Sequence, residues 1–224
     1  MEKYINPDSD GRFYALQDAV AANCHDCVGC SRCCEGMGDS IVLDPYDLYQ
    51  FQKSRNLTFD HLMQRDYLGL TMRDGIILPH LKMTDNGDHC PFLTGQGRCS
   101  IHNCRPGMCR LFPLGRDFQG EDMKYILLEN ACSNTNRTDV TVGTWIGVEP
   151  EERYHAFVKD WHDFRRQMAK VLRSAGEEQA HELSLRLLHN FFVSGYDLSQ
   201  NFYPQYEALA ARYRSAFADM FSEV

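Results

Sequence analysis

The 224-residue chain has no long hydrophobic run, and nothing in it approaches the roughly 18 to 20 consecutive apolar residues that cross a bilayer. Its opening stretch, MEKYINPDSDGRFYALQDAV, lacks the apolar core and small-residue cleavage site of an export signal. The expectation is a cytoplasmic protein that does not engage membranes. Basic charge is scarce as well. The net charge of −8 divides into about −6 over residues 1–150 and about −2 beyond, so neither half offers a basic face to phosphate, and nucleic acid is not an expected partner. Several catalytic signatures are missing: there is no G-x-x-x-x-G-K-[ST], Gly95-x-Gly97 lacks the third glycine of a dinucleotide loop, and Leu185 stands where H-E-x-x-H needs its second histidine after His181-Glu182.

What the chain does have is ten cysteines. A chain of this length buries a core without crosslinks. In a reducing compartment its thiols stay reduced, which favours metal ligation or redox chemistry over a disulfide framework. Five of the ten fall in NCHDCVGCSRCCE (Asn23 to Glu35), spaced Cys24-x2-Cys27-x2-Cys30-x2-Cys33-Cys34. A C-x2-C turn lets two thiolates converge on one ion about 2.3 Å from each sulfur. A second block, CPFLTGQGRCSIHNCRPGMCRLFP, carries Cys90, Cys99, Cys104 and Cys109, and Cys132 follows alone. Ten thiols exceed one tetrahedral site and suggest two mononuclear sites, a bridged pair of ions, or a cluster.

Spacing leaves the metal open. Cys27-x2-Cys30-x2-Cys33 with the remote Cys90-Pro91 echoes iron–sulfur ligation, and paired C-x2-C spacers suit zinc equally. Arg32, Arg98, Arg105 and Arg110 are interleaved with the cysteines and are candidates to offset thiolate charge. His25, His80, His89 and His102 lie near enough in sequence to complete a Cys3His site, with His102 the first to test. A thioredoxin-type redox pair needs a strand running into a helix, whereas the pattern here reads as a loop between helices.

The spacing of Phe13, Leu16 and Val20 predicts a short amphipathic helix leading into the cysteine loop. Asp44-Pro45 starts a helix through YDLYQFQKS, and Thr58 caps a second over FDHLMQRDYL. Strands are expected over Gly75 to Met83 and Met123 to Glu129, with loop between them. From about Pro150 the cysteines stop. Helical periodicity then runs through Tyr154 to Leu172, through Ala180 to Phe191, and after Pro204 through Tyr206 to Met220. The fold class read from this is α+β: an irregular cysteine-rich domain with short strands and helices, followed by a C-terminal helical bundle. The boundaries are 1–23 for the N-terminal helix, 24–145 for the metal-binding domain and 150–224 for the helical extension packed on it.

CVGCSRCC (Cys27 to Cys34) followed by CPFLTGQGRCSIHNCRPGMCRLFP (Cys90 to Pro113) resembles the CxxCxxCC cysteine-cluster family, also called YkgJ-like, over roughly residues 24 to 145. The resemblance implies a prokaryotic cytoplasmic protein whose cysteines chelate zinc or iron. It assigns the ligands to Cys27, Cys30, Cys33, Cys34, Cys90, Cys99, Cys109 and Cys132, enough for two sites of four. Cys24 and Cys104 stand outside the pattern, and His102 occupies a position often held by tyrosine. The functions in view are a metal-binding protein holding zinc or iron as a mononuclear, binuclear or iron–sulfur centre, a metal-dependent enzyme related to the flagellin lysine-N-methylase branch, and a zinc-folded module whose C-terminal helices meet a protein partner. No catalytic residue is assigned, because residues 150–224 supply no evident methyl-donor site.

Overall fold

The computed structural model describes residues 8–24, 30–85, 88–120, 122–134 and 136–221, and within them three two-stranded antiparallel sheets alternate with helices. The α+β class is as expected from the sequence. Cys27 and His25 lie outside the described residues.

The helix expected over residues 1–23 is replaced, within residues 8–23, by extended chain ending in strand β1 (Ala19–Asn23), which pairs with β6 (Thr138–Thr141). Tyr14, Leu16, Val20 and Ala22 are the buried positions, a period of two, while Phe13 is only half-buried. Tyr14 exchanges both backbone bonds with Tyr125, N–H to O at 2.8 and 2.9 Å, which anchors this segment to β5 (Asp122–Leu127). A helix cannot make that pairing.

Helix α1 (Pro45–Arg55) starts where the sequence places it. The Asp44 carboxylate accepts from Asp47 N–H, the Asp47 carboxylate accepts from Asp44 N–H, and Pro45 takes the first turn, where no N–H is needed. Thr58 caps α2 (Phe59–Gln64), which is shorter than expected because Leu68 already opens β2 (Leu68–Arg73). β2 and β3 (Ile76–Leu81) form a hairpin closed by Asp74 and Gly75, both at positive φ, the geometry a two-residue primed turn requires. The stretch expected to be loop between the two predicted strands holds a one-turn helix, α3 (Gly107–Leu111), and β4 (Leu114–Gln119), which pairs with β5. LGRDFQ is too polar to signal a strand by itself, and its partner strand supplies the context.

After the short α4 (Val142–Ile146), the helical tail follows the predicted periodicity: α5 (Glu151–Ser174), α6 (Glu177–Leu188) running into a π turn at His189–Val193, α7 (Phe202–Ala216) and α8 (Ala218–Phe221). α7 begins before Pro204, capped by Asn201, and the proline sits in the first turn where its missing N–H is harmless. The aromatic stripes pack inward, with Tyr46 of α1 stacked on Tyr203 of α7 at 5.8 Å and Phe157 of α5 edge-on to Tyr206 at 4.8 Å. Ser184 of α6 accepts a bond from Ile77 N–H of β3 at 2.8 Å. One buried cluster runs from Leu43 and Phe51 through Tyr125 to Trp161 and Tyr213.

Candidate metal centre

Backbone bonds zip the two cysteine blocks together. Cys90 N–H donates to Cys34 O at 2.7 Å, Gly36 N–H donates to Asp88 O at 2.7 Å, and Glu35 bridges to His89. Arg32–Cys34 form a single 3-10 turn, so Cys33 and Cys34 sit together on a tight bend. In the second block, a Leu93–Cys99 bridge presents Cys99 and the one-turn α3 presents Cys109. The N-terminus of α3 is fixed from a distance: the buried Asp47 carboxylate that closes the α1 cap also accepts from Gly107 N–H at 2.8 Å.

Six of the predicted ligands, Cys30, Cys33, Cys34, Cys90, Cys99 and Cys109, line one cavity of about 60 Å³, together with His102 and Arg105. An adjoining recess of about 30 Å³ is lined by Cys132 and Cys24, and again by Cys30, Cys33 and Cys109. Cys104 lines neither and sits in the hydrophobic core. All nine described cysteines are free thiols. Among the described residues, no three His, Cys, Asp or Glu side chains stand close enough to enclose an ion as placed.

Electrostatics show what these thiols need. Burial pushes the Cys109 thiol well up from its ordinary value, and Cys90, Asp47, Cys33 and Cys99 add to the effect. Its bond to Cys34 raises Cys33 most, followed by burial. Cys90 is pushed up to about 11, chiefly by burial and then by Cys99 and Cys33. Arg105 acts in the opposite direction on Cys33 and Cys99. Crowded, buried thiols resist losing protons to water but exchange them readily for a soft cation. The donor set therefore fits zinc or iron, with candidate sulfur ligands on three chain segments.

The histidines divide. His80 Nδ1 lies 3.0 Å from Leu81 O, and His89 Nδ1 lies 3.1 Å from Thr84 Oγ1. His102 lines the cavity, with Nε2 2.7 Å from Arg105 Nη1. Arg110 donates to Arg105 O and Asn103 O, which makes it a brace for the loop and not a partner of sulfur. The sequence marks Asp44 as the cap of α1 and leaves Asp47 unmarked. An Asp three residues after a capping Asp signals a cap, but its bond to Gly107 spans sixty residues and leaves no local trace.

Residues 26–133 match the CxxCxxCC family model, described as "Putative zinc- or iron-chelating domain". No curated protein and no solved structure matches the chain.

Proposed function

We propose, from the match of residues 26–133 to the CxxCxxCC family model of zinc- or iron-chelating domains, that this protein holds zinc or iron in a polynuclear centre bridged by thiolates. The observation that carries the reading is the position of Cys30, Cys33 and Cys109, which line both adjoining recesses. Two independent tetrahedral sites would divide the sulfurs into separate sets, whereas a thiolate, with three lone pairs, can bind two ions at once. Bridging also lowers the charge burden, because a divalent ion with four thiolates of its own carries −2. Cys34, Cys90, Cys99 and Cys132 would complete the ligand set, with Cys27 added from the family pattern alone. Arg105, whose charge reaches Cys33 and Cys99, offsets the residual negative charge.

The metal supplies structural crosslinking if it is zinc, and electron-transfer capacity if it is iron with inorganic sulfide. Such thiols belong in the cytoplasm, where they stay reduced. Anaerobic purification with metal and sulfide analysis and a visible spectrum tests the proposal. Two or more ions per chain are expected. Broad visible charge-transfer bands would identify iron–sulfur, and a colourless protein with stoichiometric zinc would identify zinc. A single ion, or none with every thiol freely titratable in a folded chain, would overturn it.

A further inference from the structure

Behind the thiolate cavity lies a much larger one, about 670 Å³, within the roughly 300–1,000 Å³ range of small-molecule sites. It lies between the cysteine domain and the helical tail, walled by β4 on one side and by α5 on the other. Val158, Trp161, His162 and Arg165 recur along α5 at helical spacing, so one face of that helix forms the wall. Cys33 and Cys109 line this cavity as well as the thiolate one, so the two spaces share a partition.

Two arginines distinguish this cavity from a packing defect. Arg165 makes no hydrogen bond or ion pair with any described residue; its guanidinium lies 6.0 Å from the Trp161 ring centre, and its Nε is buried without a partner. Arg116 has one long bond to Tyr154 Oη at 3.4 Å, and its Nε is likewise buried and unpartnered. Both residues retain accessible area while their Nε atoms have none, so each is partly sunk in the wall of this cavity, which opens to solvent beside Ser40, Asp74 and Met108. Leaving a buried cationic donor unsatisfied is costly, and a guanidinium edge, with adjacent N–H groups in a plane, matches a carboxylate in two-point fashion.

The remaining lining narrows the anion. The lining sets three arginines, Arg73, Arg116 and Arg165, against three carboxylates, Asp44, Asp47 and Asp74, so a phosphate dianion would meet more repulsion than a single negative charge. Leu111, Phe118, Val158 and Trp161 supply an apolar surface for the rest of the molecule. We propose that this cavity is a binding site for a small organic monocarboxylate with an apolar body, its carboxylate held by Arg116 and Arg165 and its body lying toward the partition formed by Cys33 and Cys109. The site stands on the cavity and its arginines and does not depend on which metal the thiols hold.

Calorimetric titration of the full-length, metal-loaded protein with acetate, hexanoate, octanoate and 3-phenylpropanoate tests this, with 1-octanol and inorganic phosphate as comparators and metal content measured in every sample. Saturable binding that strengthens from acetate to octanoate is expected, with 1-octanol and phosphate weaker by about tenfold or more, the worth of a charge-assisted contact. Arg165→Gln should weaken octanoate by a similar factor, and Arg165→Lys, which keeps the charge but loses the fork, should fall between. Arg165 makes no internal hydrogen bond, so its variants should fold, and their unliganded melting curves verify this. Absence of saturable binding at millimolar octanoate, equal binding of 1-octanol, or unchanged affinity in Arg165→Gln would each overturn the proposal. Normal metal content alongside any of these would leave the metal reading untouched.

Discussion

Among single residues, the sharpest contrast is between two cysteines five positions apart. Cys109 lines both thiolate recesses, whereas Cys104 is almost wholly buried in the hydrophobic core. Cys109→Ser should strip metal and loosen the loops around it, because binding free energy at such a site is also folding free energy. Cys104→Ser should keep its metal stoichiometry yet lose about 1–3 kcal/mol of stability, since it buries a hydroxyl in an apolar environment. Metal analysis beside denaturant melts separates the two, and metal loss in the Cys104 variant would contradict its exclusion. The spacing of the cysteines is legible because C-x2-C geometry is local, whereas the approach of Cys90, Cys99 and Cys109 to Cys30, Cys33 and Cys34 is not. That spacing was silent on Arg116 and Arg165, ordinary arginines until β4 and α5 enclose them. Two histidines set a pH response at the same scale. Burial lowers His155 and His162 from the ordinary 6.5, and His162 stacks on Phe118 at 3.6 Å. The native state then binds fewer protons than the unfolded chain, so this contribution is intact above about 6.5 and is lost as pH falls through the depressed native values. Denaturation midpoints compared with those of a His155→Gln, His162→Phe double variant should show the parent losing stability relative to the variant from about pH 8 to about pH 5. The carboxylates of Asp39 and Asp122, held low chiefly by bonds from Arg73 and Lys124, act only below about pH 4, whereas Asp44 and Asp47, pushed up chiefly by burial, act above it with the opposite sign and are common to both proteins, so they cancel in the comparison.

Among elements, the informative link is between the start of α1 and the start of α3. The caps at Asp44 and Thr58 and the placement of Pro45 were legible because each is fixed within a few residues. β1, β2 and β4 were not, since a short strand with polar faces is specified by the strand it pairs with. Asp47 joins both kinds of information: it caps its own helix and holds the turn that carries Cys109. Asp47→Ala would leave the Asp44 and Gly107 N–H groups without their acceptor, partly offset by removal of a carboxyl that burial and Asp44 push well up. A net loss of about 1–3 kcal/mol is expected, together with weaker retention of metal in a chelator competition. Gly107→Ala probes the same joint sterically, because an added methyl meets the Tyr154 hydroxyl, itself bonded to Arg116. If Asp47→Ala retains metal as firmly as the parent protein, α3 is held by something other than this bond.

For the whole molecule, composition divides the chain at Pro150, where cysteines give way to aromatic helices, yet the buried core does not respect that line. The division is visible in sequence because it is a change of residue type; the shared core is not, because its contacts pair residues more than a hundred positions apart. Tyr46 and Tyr49 of α1 lie among Tyr154, Phe157, Phe202 and Tyr203, and Ile77 of β3 bonds to Ser184 of α6. We infer that the cysteine domain and the helical tail fold as one cooperative unit, and a chain ending at Val148 tests this. Truncation would expose the aromatic face of α1 and remove the α5 wall of the 670 Å³ cavity. Each buried aromatic so exposed forfeits roughly 2–3 kcal/mol of burial, so a few of them match the entire stability of an ordinary domain. The truncated chain should therefore aggregate or fail to give a cooperative melt even when supplied with zinc or iron under reducing conditions. A soluble truncated protein with full metal content and a sharp melt would instead show two independent domains. It would also mean that the thiolate centre is built without help from the helices that enclose the cavity behind it.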